Sequence, residues 1–293
     1  MVVKGLRLFL SSVLFLGVTT FGYSAEDFKA QILFNGSSSL APVISKISTN
    51  FIEENITWDK VNKEFPQKNI AIYVSSGGSG AGVKSVLEGI SDFGMVARNV
   101  KDSEKAKFKN YQEFVVASDA LTISVNNENP ILKYQKNISN ETLKKIFSGE
   151  YRYWSDVDSR LEKKEIVVVT RDLGGGAHEV FQNVIMGDTD VKMDAIQAPS
   201  MGALATKLVE NKYAIGYASF GVYNQNKDKL TALSVEGVEP TIDNILSGTY
   251  KIQRPLLFIK DGALTVSEKA FVDYIFSEEG MAAVEASGYI PVK

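Results

Sequence analysis

Ser75-Ser76-Gly77-Gly78-Ser79-Gly80-Ala81-Gly82, running on into Val83-Lys84-Ser85-Val86-Leu87-Glu88-Gly89, is the stretch whose reading decides the fold. The apolar, β-branched run at 70–74 before it predicts a short buried strand. Glycine has no Cβ, so the loop can turn tightly and aim several N–H groups into one space. Beyond Gly80, Val83, Val86, Leu87 and Ile90 fall at helical spacing. The loop therefore opens a helix, whose unpaired N–H groups and positive dipole end favour an anion, with serine hydroxyls as further donors. A Gly/Ser turn with no ligand is the plainer reading of the same residues.

Three familiar loops do not fit. A phosphate-binding P-loop needs Lys directly after its last Gly, whereas Val83 separates Gly82 from Lys84. Gly78-Ser79-Gly80-Ala81-Gly82 does not match the dinucleotide fingerprint G-x-G-x-x-G, and Ala81 stands where an esterase elbow wants its final glycine. The stretch suits holding an anion better than hydrolysing anything.

The whole chain has 293 residues, 44% hydrophobic and 23% charged, enough for one large domain or two medium ones. A formal net charge of −3 argues against nucleic acid or an acidic membrane surface as partner. The absence of cysteine excludes disulfides, thiolate metal sites and a lipid-modified N-terminal cysteine. His178, the one histidine, leaves little room for a His-based metal or catalytic cluster. Lys4 and Arg7, the apolar run at 8–21, and small residues at Ser24 and Ala25 read as a secretory signal peptide over 1–25. No later segment is long and apolar enough to span a membrane, so the expectation is an exported, soluble protein in the periplasm or outside the cell.

A second strand at 31–34 leads through Asn35-Gly36-Ser37-Ser38-Ser39 into a helix from Ala41, with Pro42 in its first turn. A third such unit has a strand at 166–170, the loop Arg171-Asp172-Leu173-Gly174-Gly175-Gly176-Ala177-His178, and helical spacing through Val180, Phe181, Val184 and Ile185. Arginine suits bidentate contact with an oxyanion, although Arg171 could instead serve as a structural partner of Asp172. Arg98 ends the short apolar strand at 93–97 and is either a solvated surface charge or a cleft residue. Asp119 interrupts a nearly continuous apolar run from 114 to 125, as where a strand passes between domains. Alternating strands and helices predict an α/β fold with mostly parallel sheets.

The set Gly36-Ser37-Ser38-Ser39-Leu40-Ala41-Pro42, Ser76-Gly77-Gly78-Ser79-Gly80-Ala81-Gly82-Val83-Lys84 and Asp92-Phe93-Gly94-Met95-Val96-Ala97-Arg98 resembles the periplasmic phosphate-binding proteins of high-affinity phosphate ABC importers. Ile215-Gly216-Tyr217, Val235-Glu236-Gly237-Val238-Glu239-Pro240-Thr241 and Gly248-Thr249-Tyr250-Lys251-Ile252-Gln253-Arg254-Pro255-Leu256 extend the likeness over nearly the whole mature chain. The resemblance implies a type II periplasmic-binding-protein fold: two α/β lobes joined by a hinge that the chain crosses twice. The crossings are expected near Asp119 and near Ser234, giving lobe I at 26–118 and 235–293 and lobe II at 119–234.

Carried over by position, the resemblance makes Ser39, the N–H of Leu40, Ser79 and Arg171 phosphate contacts. Ser38, Arg98, Gly174, Gly175 and Gly176 complete the candidate set. Three positions depart from the family pattern. Ala97 stands where an acid or serine usually accepts the phosphate proton, and Gly175-Gly176-Ala177 stands where Ser-Gly-Thr is usual. Backbone donors survive these changes, while three side-chain contacts do not. The resemblance implies no cofactor, no metal and no catalytic residue, a monomer, and the permease subunits of an ABC importer as partner. A sensor or surface protein on the same scaffold, or a secreted phosphate-ester hydrolase, are the alternatives.

Overall fold

The computed structural model describes residues 28–292, so the segment read as a signal peptide lies outside the described residues. Strands β1 (Gln31–Gly36), β2 (Ala71–Ser76) and β3 (Phe93–Val96) are parallel neighbours with β1 in the middle. Alternation fixes which face each presents: Ile32 and Phe34 of β1 are buried while Gln31 and Leu33 are exposed. The helix Ala41–Asn55 covers one face with Val43, Ile44, Ile47 and Phe51, one stripe at helical spacing.

The 16-residue strand β4 (Tyr111–Asn126) is shared by both halves of the molecule. It is followed by β5 (Asn137–Ile138), β6 (Val167–Arg171), β7 (Ile196–Ala198), β8 (Ala214–Ser219), β9 (Leu230–Val235), β10 (Gln253–Asp261) and β11 (Ile290–Pro291). The strand order is β2-β1-β3-β10-β4-β8-β6-β7, with β9 and β11 also on β4 and β5 beside β9. From Tyr111 to Ala120, β4 pairs with β10; from Leu121 to Asn126 it pairs with β8 and β9. Every pairing made by β4 or β10 is antiparallel, so the architecture is mixed and less parallel than simple alternation predicts. The physical reason is that these strands run directly from one half to the other, without the helical crossover that parallel neighbours require.

Two large hydrophobic cores result, beside a smaller cluster that includes Val83, Val86, Val96, Leu257 and Ile259. The first is built on Ile32, Phe34, Phe93, Phe258 and Phe271, with Phe34 and Phe93 stacked at 4.6 Å. The second is built on Leu121, Ile123, Phe147, Phe181 and Tyr217, with Phe181 and Tyr217 stacked at 4.5 Å. The chain leaves the first core in β4, between Ala117 and Ala120. Its return corrects the expected boundary near Ser234, because Val235, Ile245, Tyr250 and Ile252 all belong to the second core and Leu256 to the first. A tight turn explains the difference: Glu236 (φ 51) and Gly237 (φ 78) reverse the chain, and Val238 bridges back to Val235. Tyr250 then anchors the segment by donating to the Leu121 carbonyl at 2.9 Å. The second passage therefore falls in β10, at Gln253-Arg254-Pro255. Among the described residues no helix is long and apolar enough to cross a membrane.

The Gly-rich loop enters the helix Ser79–Leu87, which lies so close to β1 and β3 that a Cβ on Gly82 would stand 2.5 Å from the Met95 carbonyl oxygen. Helix propensity alone would reward Gly82→Ala by up to about 1 kcal/mol. The backbone collision reverses that sign, so Gly82→Ala is expected to destabilise the fold by roughly 2 kcal/mol or more. Gly202→Ala, in a helix first turn with open space around it, is expected to be neutral or stabilising. Urea denaturation of the two variants checks the contrast.

Candidate functional site

Three strand–loop–helix units, two from the first lobe and one from the second, converge between the two cores. The two first-lobe loops are locked together: the Gly77 and Gly78 N–H groups donate to the Gly36 carbonyl at 3.0 and 2.9 Å. The second-lobe loop lies directly opposite, since a Cβ on Gly176 would meet Ser79 Oγ at 2.4 Å. Glycine at 176 is what permits the lobes to approach this closely. Two helix starts thus face each other. The first-turn N–H groups of Ser79, Gly80 and Ala81, and those of Gly176 and Ala177, have no acceptor within their own helices.

Arg171, at the end of β6, is buried (2% exposed) and spans the lobes. Its Nη1 donates to Ser38 Oγ at 2.9 Å and its Nη2 to Asp172 Oδ1 at 2.7 Å. Two carbonyls of the strand exit, Ala198 and Pro199, accept from its Nε and Nη2 at 3.0 and 3.1 Å. Both readings of Arg171 therefore hold at once: it pairs with Asp172 and also stands in the cleft. Its main-chain N–H donates to Tyr217 Oη at 3.0 Å, so the tyrosine proton is directed to Thr170 Oγ1, 2.6 Å away. Burial pushes the Tyr217 phenol up to about 12, which keeps that proton in place.

Arg254 was not foreseen as a site residue, and it is the second buried arginine of the cleft (4% exposed). It lies directly opposite Asp119 in the β10–β4 register. Its Nε donates to Asp119 Oδ2 at 2.8 Å, its Nη1 to the Ala97 carbonyl at 3.2 Å and its Nη2 to Ser39 Oγ at 2.9 Å. The Phe220 N–H takes Asp119 Oδ1 at 2.9 Å. A signal was present in the sequence, because a carboxylate inside an apolar strand demands a cation from a neighbouring one.

The serines share one electronic arrangement. Ser38 Oγ accepts from Arg171 and from the Met201 N–H (3.3 Å), Ser39 Oγ from Arg254, and Ser79 Oγ from the Ala97 N–H (3.0 Å). With those lone pairs taken by N–H donors, each hydroxyl proton is left to donate elsewhere. Such a surface attracts an acceptor-rich, negatively charged guest. Ser37, also unforeseen, accepts the N–H groups of Ser39 and Leu40 at 3.2 and 3.3 Å. The Leu40 N–H, expected to address a ligand, is thus directed at a neighbouring hydroxyl. Gly175 sits where a Cβ would be 2.9 Å from both Arg171 Nη2 and Asp172 Oδ1, while Gly174 has open space around it.

Arg98 is drawn away from this group. Its Nη1 and Nη2 donate at 2.7 Å to Glu104, and its Nη1 also to the Asn99 carbonyl at 2.9 Å. Burial works against the Glu104 carboxylate, yet the Arg98 hydrogen bonds outweigh it and hold the carboxyl below its ordinary range. Burial also lowers the His178 imidazole, whose Nδ1 is 3.3 Å from Thr170 Oγ1 rather than beside any of the three serines. Among the described residues no group of three or more His, Cys, Asp or Glu side chains is placed to hold a metal ion.

Two α/β lobes, linking strands and an arginine- and serine-lined cleft between them define the type II periplasmic-binding-protein class. A PBP superfamily domain matches residues 24–279. Phosphate-binding protein PstS of Staphylococcus epidermidis is 32% identical over 279 residues, 90% of this chain and 80% of that protein. PstS of Staphylococcus aureus is 30% identical over 283 residues, covering 92% and 80%. A solved structure from Clostridium perfringens, described as a putative phosphate ABC transporter substrate-binding protein with bound phosphate, matches with TM-score 0.76 and 29% identity. That match covers 90% of this chain and 100% of the other. The chain belongs to the PBP superfamily, in the family of the PstS phosphate-binding proteins.

Arg254→Met leaves the Asp119 carboxylate buried without its cation, and the expected loss is about 3–5 kcal/mol of folding stability. Adding Asp119→Asn, which keeps an acceptor for the Phe220 N–H, should recover at least half of that loss. Equilibrium denaturation of the single and double variants measures it; additive losses would mean that the pair is not coupled.

Proposed function

We propose that this chain captures inorganic phosphate between its two lobes and delivers it to the membrane permease subunits of an ABC importer. The reading rests above all on the two opposed helix starts, which bring unpaired N–H groups and positive dipole ends together with Arg171 between the lobes. Such an arrangement is self-repelling until an anion enters it. Ser38, Ser39, Ser79, Arg171 and the backbone at Gly174, Gly175 and Gly176 are the binding groups. Closing the lobes excludes water and strengthens every one of these contacts. The names of the relatives support phosphate as the guest and an importer as the setting.

Binding proceeds here without catalysis. Among the described residues no histidine or carboxylate is hydrogen-bonded to any of the three serine hydroxyls, whose hydrogen-bond partners are N–H donors. Export through the segment at 1–25 places the protein in the periplasm or outside the cell, as a monomer that needs no cofactor. Calorimetry should show saturable phosphate binding, and small-angle scattering a smaller radius of gyration once phosphate is added. Arg171→Ala should weaken that binding by at least about 2 kcal/mol. It should also lower the stability of the unliganded protein, since the Ala198 and Pro199 carbonyls lose their donor. Wild-type affinity in this variant would move the site elsewhere.

Ala97 sets the selectivity. It is buried, its N–H and carbonyl are both engaged, and its methyl group offers no acceptor for a phosphate proton. An acceptor there would repel sulfate, which has no proton to give at neutral pH, and that repulsive element is missing. Ala97→Asp is therefore expected to raise the preference for phosphate over sulfate. Competition binding at neutral pH decides it: a wild type that already rejects sulfate by many thousandfold overturns the idea.

A further inference from the structure

Four charged side chains meet at the rim of the cleft, apart from the serines. Arg98 follows β3, Lys101 and Glu104 come in the next turn, and Glu179 reaches across from the second lobe. Arg98 and Glu104 form a two-pronged pair whose Nη–Oε distances are both 2.7 Å, and Glu104 also accepts the Lys101 main-chain N–H at 3.0 Å. Within the first lobe these bonds leave the buried Arg98 Nε–H without a hydrogen-bond partner. Glu179 then completes the rim: its Oε2 is 3.0 Å from Arg98 Nε and its Oε1 is 3.0 Å from Lys101 Nζ.

The charges balance only when the lobes are together. Arg98, Lys101 and Glu104 sum to +1 on the first lobe, and Glu179 supplies −1 from the second. The Arg98 side chain is only 5% exposed and Glu179 26%, so the contact is partly desolvated. An exposed pair of this kind contributes little, while a desolvated one held in fixed geometry contributes more. Both Arg98 Nη groups are taken by Glu104 and the Asn99 carbonyl, while its buried Nε–H makes no hydrogen bond and meets Glu179 as an ion pair, so its role in ligand retention is indirect.

We infer that Glu179 is a closure residue: it positions the second lobe against Arg98 and Lys101, and so sets how long phosphate is held without touching it. This rests on the phosphate reading above. Release requires the lobes to part and therefore these two contacts to break, so the effect belongs in the dissociation rate. A residue that shifts the open–closed equilibrium changes apparent affinity by the change in the closed fraction.

Glu179→Gln, which keeps the size of a side chain that is 26% exposed and removes its charge, tests this. Phosphate dissociation by stopped flow is expected to quicken about tenfold, with little change in association. Lys101→Gln should have a smaller effect and add little on top of Glu179→Gln. Raising sodium chloride should weaken the wild type more than the variant. A readout that needs no ligand separates this inference from its parent: without phosphate, Glu179→Gln should have a larger radius of gyration than the wild type. If the wild type binds no phosphate, the phosphate reading falls while this scattering comparison still judges the clasp. Unchanged dissociation together with unchanged ligand-free dimensions would overturn the clasp itself.

Discussion

Asp119 and Arg254 form an ion pair with side chains 0% and 1% exposed, on adjacent antiparallel strands at the point where both pass between the lobes. Removing two charges from water is costly, and attraction offsets it only if geometry is good and the remaining hydrogen-bonding groups are satisfied. Here they are: the Phe220 N–H completes the carboxylate, and Ser39 Oγ with the Ala97 carbonyl completes the guanidinium. The pair thereby connects the hinge strands, both first-lobe ends of the cleft, and the entry to the helix Phe220–Gln225 in the second lobe. Any shift in strand register would strand a charge in the core. The hinge and the cleft floor consequently share one geometry.

Placing one buried arginine on the floor and another in the opposite lobe divides their tasks. Arg254 is neutralised by Asp119 and orients Ser39. Arg171 is only partly offset by the more exposed Asp172, and it spans the lobes through Ser38. The Ser38, Ser39 and Ser79 hydroxyls add donors between them, because each Oγ already accepts an N–H. The cleft is thus polarised by how its hydrogen bonds are shared rather than by net charge, which is −3 for the chain as a whole.

The departures from the family pattern fit this picture unevenly. At Gly175 a side chain would crowd the Arg171–Asp172 pair, so glycine keeps that ion pair close. Gly176, which keeps the glycine of the family pattern, is demanded by the approach of Ser79, and Ala177, the third departure, is buried in the second core. Ala97 has no such steric explanation; its backbone is committed to Ser79 and Arg254, and its side chain simply withholds an acceptor.

Local pattern determined much of this protein on its own. Helical and alternating spacings located the strand–loop–helix units, because periodicity reflects burial within a single element. Glycine and serine clusters marked the loops for the same local reason, and Arg171 stood out by ending the third of them. What only the tertiary structure decided depends on partners distant in sequence. The return crossing moved from Ser234 to β10 because Tyr250 and Ile252 pack on the second core, which no spacing within that segment reveals. Arg254 joined the cleft through Asp119, 135 residues away, and Arg98 left it for Glu104 and Glu179. A side chain's type announces the charge it carries. Which opposite charge claims it is settled only when folding fixes the distances.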